Sequence, residues 1–163
     1  MSVEYVTWKN ELWESGDPVQ PSLGVDFKTA PGREVVGLKG QDGDWKAFMC
    51  YARTNSIPKN VEELEAHTQV DGPYLIPYTV WSHERGAGRE IIDEVLKLAQ
   101  TLSPRIERVV TLSPPTEMAR KFHLRNQAIE YRVNEETVNF EYILQYFACE
   151  ACECDPCDCS WGN

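Results

Sequence analysis

Apolar positions along this chain fall into two periods, short β-branched or alternating runs and longer stretches spaced as one helix face. Arg33 to Lys39 and Trp45 to Arg53 are runs of the first kind, and Gly40-Gln41-Asp42-Gly43-Asp44 between them predicts a hairpin. Asn60 followed by Glu63 is a helix-start signal, which predicts a short helix over Val61 to His67. Tyr74 to Trp81 reads as a buried strand, and Pro77 inside it removes a ladder donor, implying a bulge or a splayed edge. Ile91, Ile92, Val95, Leu96, Leu98, Ala99 and Leu102 share one face of the main helix, predicted over about Gly88 to Leu102. Arg108 to Leu112 is a further strand. Pro114 and Pro115 suit the first turn of a helix that carries Met118, Ala119 and Phe122 on one side. Ala128 to Val133 and Thr137 to Leu144 flank Asn134-Glu135-Glu136 as a second hairpin. Nearer the start, Val3 to Trp8 is either a strand or the beginning of a short helix bearing Trp8, Leu12 and Trp13. Gly16 to Pro31, punctuated by Pro18, Pro21 and Gly24, reads as loop. The alternation predicts an α+β domain with a mixed, mostly antiparallel sheet flanked by helices.

Composition narrows the setting. At 163 residues, 42% of them hydrophobic and five of them tryptophan, the chain is long and apolar enough for one folded domain with a sizeable core. A net charge of −10 disfavours nucleic acid and anionic membranes as partners. No stretch is apolar enough to cross a bilayer, and Met1-Ser2-Val3-Glu4-Tyr5 lacks a leader's charged and apolar regions, so a cytoplasmic protein is expected. Trp8, Trp13, Trp45 and Trp81 read as packing residues, Cys50 as core, and Glu62, Glu63 and Glu65 as a solvated helix face.

Candidate chemistry sits where the strand ending at Trp81 meets the main helix. Ser82-His83-Glu84-Arg85-Gly86-Ala87-Gly88-Arg89 places two glycines at that junction, where backbone can approach a ligand closely. The free N–H groups and positive dipole end of the following helix suit an anion, above all a phosphate. A tight strand-to-helix turn with no ligand is the plain alternative.

This junction and the order of elements resemble the GNAT superfamily of acyl-coenzyme A-dependent N-acyltransferases, from Val35 to about Leu144 and most specifically from Val80 to Ala128. His83-Glu84-Arg85-Gly86-Ala87-Gly88 sits on that family's Arg/Gln-x-x-Gly-x-Gly/Ala loop, with His83 at its first position. A second register places Arg85 there and Glu90 at the last position. The resemblance implies a coenzyme pyrophosphate held at Arg85, Gly86, Ala87, Gly88 and Arg89, and an oxyanion donor from strand backbone around Val80 and Trp81. Thr116-Glu117-Met118-Ala119-Arg120-Lys121-Phe122-His123 is similar to the family segment that runs from an Asn to a Tyr. Thr116 then stands for the Asn that meets the coenzyme, and His123 for the Tyr that protonates the leaving thiolate. An unperturbed imidazole titrates near 6.5, which suits that role; a hydrogen-bonded histidine on a helix surface is the alternative. Arg125-Asn126-Gln127-Ala128 looks like the family's helix-closing turn, where Asn126 is expected to take the positive φ that glycine usually supplies. Lys97, Arg105, Arg108, Arg120, Lys121 and Arg125 either meet the coenzyme's 3′-phosphate or serve solubility and ion pairs. Among Asp71, Tyr74 and Tyr78 no general base stands out, and Asp71-Gly72-Pro73 reads first as a turn.

The last residues differ in kind. Cys149, Cys152, Cys154, Cys157 and Cys159 alternate with Glu150, Glu153, Asp155 and Asp158, so residues 148–163 read as an acidic Cys-rich tail after a domain over 1–147. Thiolates at this spacing can surround Zn²⁺; a reduced tail, or disulfides in an oxidising particle, are the alternatives. The resemblance implies transfer of an acetyl group from acetyl-CoA to an amine of a small molecule or a protein. The other expectation is a catalytically inactive GNAT-fold interaction or structural protein, of a phage or virus particle for example.

Overall fold

The computed structural model describes residues 2–5 and 23–144. Its strands are β1 (Ser2–Tyr5), β2 (Arg33–Lys39), β3 (Trp45–Thr54), β4 (Tyr74–Ser82), β5 (Arg108–Val110), β6 (Ile129–Val133) and β7 (Val138–Tyr142). They form a seven-stranded sheet in the order β1-β2-β3-β4-β5-β7-β6, antiparallel at every step except between β4 and β5. The helices among the described residues are α1 (Val25–Lys28), α2 (Val61–His67), α3 (Ala87–Ala99) and α4 (Glu117–Arg125). The expected α+β class and mixed, mostly antiparallel sheet are what forms.

Strand alternation divides the core into two layers. Val36, Leu38, Met49, Tyr51 and Leu75 point to the side where α3 lays down Ile91, Ile92, Val95 and Ala99. Val35, Phe48, Cys50 and Ile76 point to the other side, against Leu64 of α2. Full burial of each large aliphatic chain stabilises the fold by roughly 1.5–3 kcal/mol, so the helix face read from spacing is what anchors α3. Buried Arg53 ties the loops together, donating to the backbone oxygens of Gly72 (2.9 Å), Ser103 (3.2 Å) and Pro104 (2.6 Å).

Pro77 has the effect its missing N–H implies. Cys50 pairs with Thr79 but Tyr51 pairs with Pro77, so Tyr78 is an extra residue and the register shifts there. The bulge resets the alternation: Val80 joins the α3 side, while Trp81 stacks on Phe48 on the other at 5.2 Å between centroids.

Several boundaries depart from the pattern. The stretch expected as loop contains α1, one turn closed by Lys28 N–H to Gly24 O and held by Arg33, whose guanidinium lies 4.1 Å over Phe27. One turn is too short to show periodicity. Pro114 and Pro115 precede α4 rather than lying in its first turn, because Thr116 takes the cap, accepting from Ala119 N at 3.2 Å. At the other end Gln127, not Asn126, adopts the left-handed backbone, with φ of 78° against −93°. Asn126 is instead held by its side chain, which donates to Phe122 O at 2.8 Å. The segment after Val3 resolves as strand in Ser2–Tyr5; Trp8, Leu12, Trp13 and the five tail cysteines lie outside the described residues.

Candidate functional site

β4 and β5 begin side by side and then part. They share two ladder pairs, Tyr74 with Arg108 and Leu75 with Val109, and a last bond from Leu112 N to Pro77 O at 2.9 Å. Beyond Pro77 the strands diverge, and a cleft of about 540 Å³ opens between Tyr78–Ser82 on one side and Ser113, Pro114 and α4 on the other. That volume lies in the range of small-ligand sites.

One wall of the cleft is strand backbone without a partner strand. His83 N–H donates to Lys46 O at 2.8 Å. The period-two alternation of a strand turns the Trp81 amide toward β3 as well, and turns the Val80 amide into the cleft. Of the two residues expected to supply an oxyanion donor, Val80 is thus the one whose N–H faces the opening. The Trp81 indole Nε1 is buried and without a hydrogen-bond partner among the described residues.

The glycine junction meets the same cleft. Gly86 caps α3 in the left-handed conformation (φ 86°) and offers no side-chain cap; Ala87 N–H bonds back to Glu84 O at 3.1 Å, and the amides of Gly88 and Arg89 are left for a partner from outside the helix. A Cβ on Gly86 would meet nothing within 4 Å, whereas one on Gly88 would come within 2.9 Å of the Phe122 ring. Gly86 therefore stands at open space, and Gly88 lets α3 and α4 close on each other. Ala87 is buried beneath the turn, and Arg85 and Arg89 are exposed on either side of it. Lys46 fixes the approach by pairing with Glu84 at 3.1 Å. Thr116 lines the cleft mouth while its oxygen caps α4.

Among the basic residues read from the sequence, Lys121 and Arg125 line the cleft. Lys97 pairs with Glu94 (3.4 Å), Arg108 with Glu141 (2.7 Å) and Arg120 with Glu130 (3.4 Å).

His123 is not on a helix surface: it is 5% exposed, stacked on Phe140 with centroids 5.0 Å apart. Its Nε2 lies 3.1 Å from Ser113 Oγ and its Nδ1 2.7 Å from the Tyr142 hydroxyl. Burial pushes its pKa down to about 4. The ring is thus neutral at neutral pH, which corrects the expectation of an imidazole titrating near 6.5 there. A neutral imidazole donates from one nitrogen and accepts at the other.

Pattern reading passed over Thr111, Ser113 and Tyr142. Thr111 Oγ1 lies 2.7 Å from Ser113 Oγ and accepts from Phe140 N–H at 3.1 Å. The signal was present: Thr111 and Ser113 alternate with apolar Val110 and Leu112, which places two hydroxyls on one face of the extension of a buried strand. Among the described residues no cluster of His, Cys, Asp and Glu is arranged to hold a metal ion. No described helix is long and apolar enough to cross a membrane.

No family model and no curated protein matches the sequence. Solved structures do match its fold. Malonyl-CoA decarboxylase from Agrobacterium vitis superposes with a TM-score of 0.60 at 20% identity over 73% of this chain. The chain spans 34% of that enzyme's length. GphF, a GNAT-like decarboxylase solved with isobutyryl-CoA, gives a TM-score of 0.57 at 16% identity, covering 68% of this chain and 78% of its own. The GNAT domain of S. lividans PAT gives 0.60 at 12% identity, covering 86% and 88%. The chain has the GNAT fold.

Proposed function

We propose that the cleft binds an acyl-coenzyme A and passes its acyl group to an amine, acetyl-CoA being the donor and a small molecule or a protein the acceptor. One observation carries this reading: β4 leaves β5 beside a helix start capped by glycine, so unpaired strand amide and unpaired helix amides border a single opening. The residues fit such a ligand. The open space at Gly86 and the Gly88 and Arg89 amides in the first turn of α3 suit a pyrophosphate, with the exposed Arg85 and Arg89 side chains beside it. Lys121 and Arg125 are the cleft's cations for further phosphate. The Val80 amide is set to receive the charge that builds on a thioester oxygen under attack.

The test is calorimetric titration with acetyl-CoA against the chain and an Ala119→Trp variant, which fills the cleft from α4. Micromolar binding, about 8 kcal/mol, that is lost in the variant supports the reading. No binding at millimolar coenzyme overturns it and leaves the GNAT fold as an interaction or structural scaffold.

A second reading is loss of CO₂ from a malonyl-type acyl-CoA. A cleft with apolar walls around a neutral His123 favours discharge of a carboxylate, and malonyl-CoA decarboxylase and GphF share the fold. Release of CO₂ from malonyl-CoA, with no amine added, distinguishes this reaction from transfer.

A further inference from the structure

Burial gives each hydrogen bond at the cleft floor a direction, and the directions converge on Ser113. Tyr142 is 2% exposed, and among the described residues the acceptor within reach of its O–H is His123 Nδ1 at 2.7 Å. A buried donor left unpaired is costly, so Tyr142 donates to that nitrogen. The neutral ring then carries its single hydrogen on Nε2 and donates it to Ser113 Oγ at 3.1 Å. From the other side Phe140 N–H donates to Thr111 Oγ1 at 3.1 Å, and the buried Thr111 hydroxyl passes its own hydrogen to Ser113 Oγ at 2.7 Å. Two donors thus fill both lone pairs of Ser113 Oγ, and the serine can only donate. Ser113 is itself 4% exposed and borders the cleft, so the one direction left for its proton is the cleft side. Each bond an oxygen receives strengthens the one it gives.

We propose that the Ser113 O–H is the donor that holds the coenzyme sulfur as it leaves the acyl group, with His123 and Tyr142 as the positioning residues that aim it. Attack of an amine on a thioester puts charge on two atoms in turn, the carbonyl oxygen and then the sulfur. The cleft-facing Val80 amide meets the first, and a hydroxyl that can only donate suits the second. The amine nitrogen bonds to the thioester carbon, the carbon–sulfur bond breaks, and its electron pair stays on sulfur beside Ser113. The proton that the amine sheds is the one the sulfur finally carries, so the net change is thioester plus amine to amide plus thiol. Ser113 keeps its own proton throughout, because a thiolate is too weak a base to take one from an alcohol. Its contribution is a charge-assisted hydrogen bond.

The inference rests on the acyl-coenzyme A reading, and two measurements keep the two apart. Nitrogen-15 NMR of the imidazoles, with His123 assigned by its absence in His123→Gln, should show the ring hydrogen on Nε2. Hydrogen on Nδ1 overturns the donor role of Ser113 whatever the cleft binds. Calorimetry then compares coenzyme A with desulfo-coenzyme A, which has no sulfur to ionise, from pH about 7 to about 9.5. A donor to the thiolate favours the ionised sulfur, so the parent's preference for coenzyme A over its desulfo analogue should rise roughly tenfold with pH. Groups of the protein that titrate in this range act on both ligands and cancel in the ratio. Ser113→Ala should flatten the rise, with circular dichroism matching the parent's as proof of folding. Both ligands bound with a flat ratio in the parent, or an equal rise in Ser113→Ala, overturns the sulfur contact and leaves the coenzyme reading standing. No binding of either ligand at millimolar concentration overturns the coenzyme reading and the sulfur contact with it.

Discussion

Falling pH charges imidazoles, and the three histidines of this chain meet that change in different places. His83 is exposed and His67 half-buried, whereas His123 is enclosed by Phe122, Phe140 and Tyr142. The folded state holds His123 neutral down to about 4, while the unfolded chain releases it to the usual value near 6.5. Between those two values the unfolded state binds more protons, so stability falls as pH falls. The contribution is fully present above about 6.5 and is lost as pH drops to about 4. At about 1.4 kcal/mol per unit, the gap amounts to about 3 kcal/mol, a large fraction of the 5–15 kcal/mol of a typical domain. Tyr142 does not offset this, since burial, with the Asp93 charge second, pushes its own pKa up and keeps the phenol neutral throughout.

Urea unfolding of the parent and a His123→Gln variant at a series of pH values from about 7 to about 4.5 isolates the effect. His67, His83 and the carboxylates are common to both proteins and cancel to first order. The parent should lose up to about 1.4 kcal/mol per pH unit more than the variant across that window, with unchanged urea dependence. The His123 ring should show no protonation by NMR until near 4. Parallel slopes, or a His123 titration near 6.5 in the folded protein, would refute the claim that burial holds the ring neutral.

Other consequences follow from single contacts. Gln127→Gly relieves a left-handed backbone at φ 78° and should stabilise the fold by up to about 1 kcal/mol in thermal unfolding, part of the relief being lost to unfolded-chain entropy. Arg53→Met leaves the oxygens of Gly72, Ser103 and Pro104 without their donor and should cost roughly 3 kcal/mol or more by urea unfolding. Gly88→Ala places a Cβ within 2.9 Å of the Phe122 ring, so acetyl-CoA affinity should fall as Phe122 shifts toward the cleft it lines, with the helix content retained.

Much of the fold was legible because its signals are local. α3 carries five buried apolar residues at helical spacing, and β2 and β3 alternate around a turn that contains Gly43 at φ 86°. Asn60 and Glu63 mark the start of α2 as read, with Asn60 Oδ1 accepting from Glu63 N at 2.8 Å. The misreadings share a cause in tertiary contact. α1 persists because Arg33 grips Phe27, and Gln127 tolerates its backbone because Ala128 N–H bonds to His123 O at 3.0 Å and β6 must follow. Neither contact leaves a periodic trace in the chain.

The site was legible in part, and the missing part is of one kind. Glycines at a strand-to-helix junction announce a backbone requirement, so Gly86 and Gly88 stand out by their position in the chain alone. A hydrogen-bond chain announces nothing, because its members come from three separate elements and each has a harmless reading alone. Thr111 and Ser113 look like a strand's polar face, His123 like a helix residue, Tyr142 like core. Only the sheet order β5-β7, with α4 packed across it, brings them within 3.1 Å of one another in sequence along the chain of bonds. Burial then does what no spacing could reveal, holding neutral a histidine expected to titrate near 6.5. The Phe140 amide donates to Thr111 at one end of that chain, so the floor of this cleft is arranged as much by a backbone N–H on β7 as by the side chains it meets.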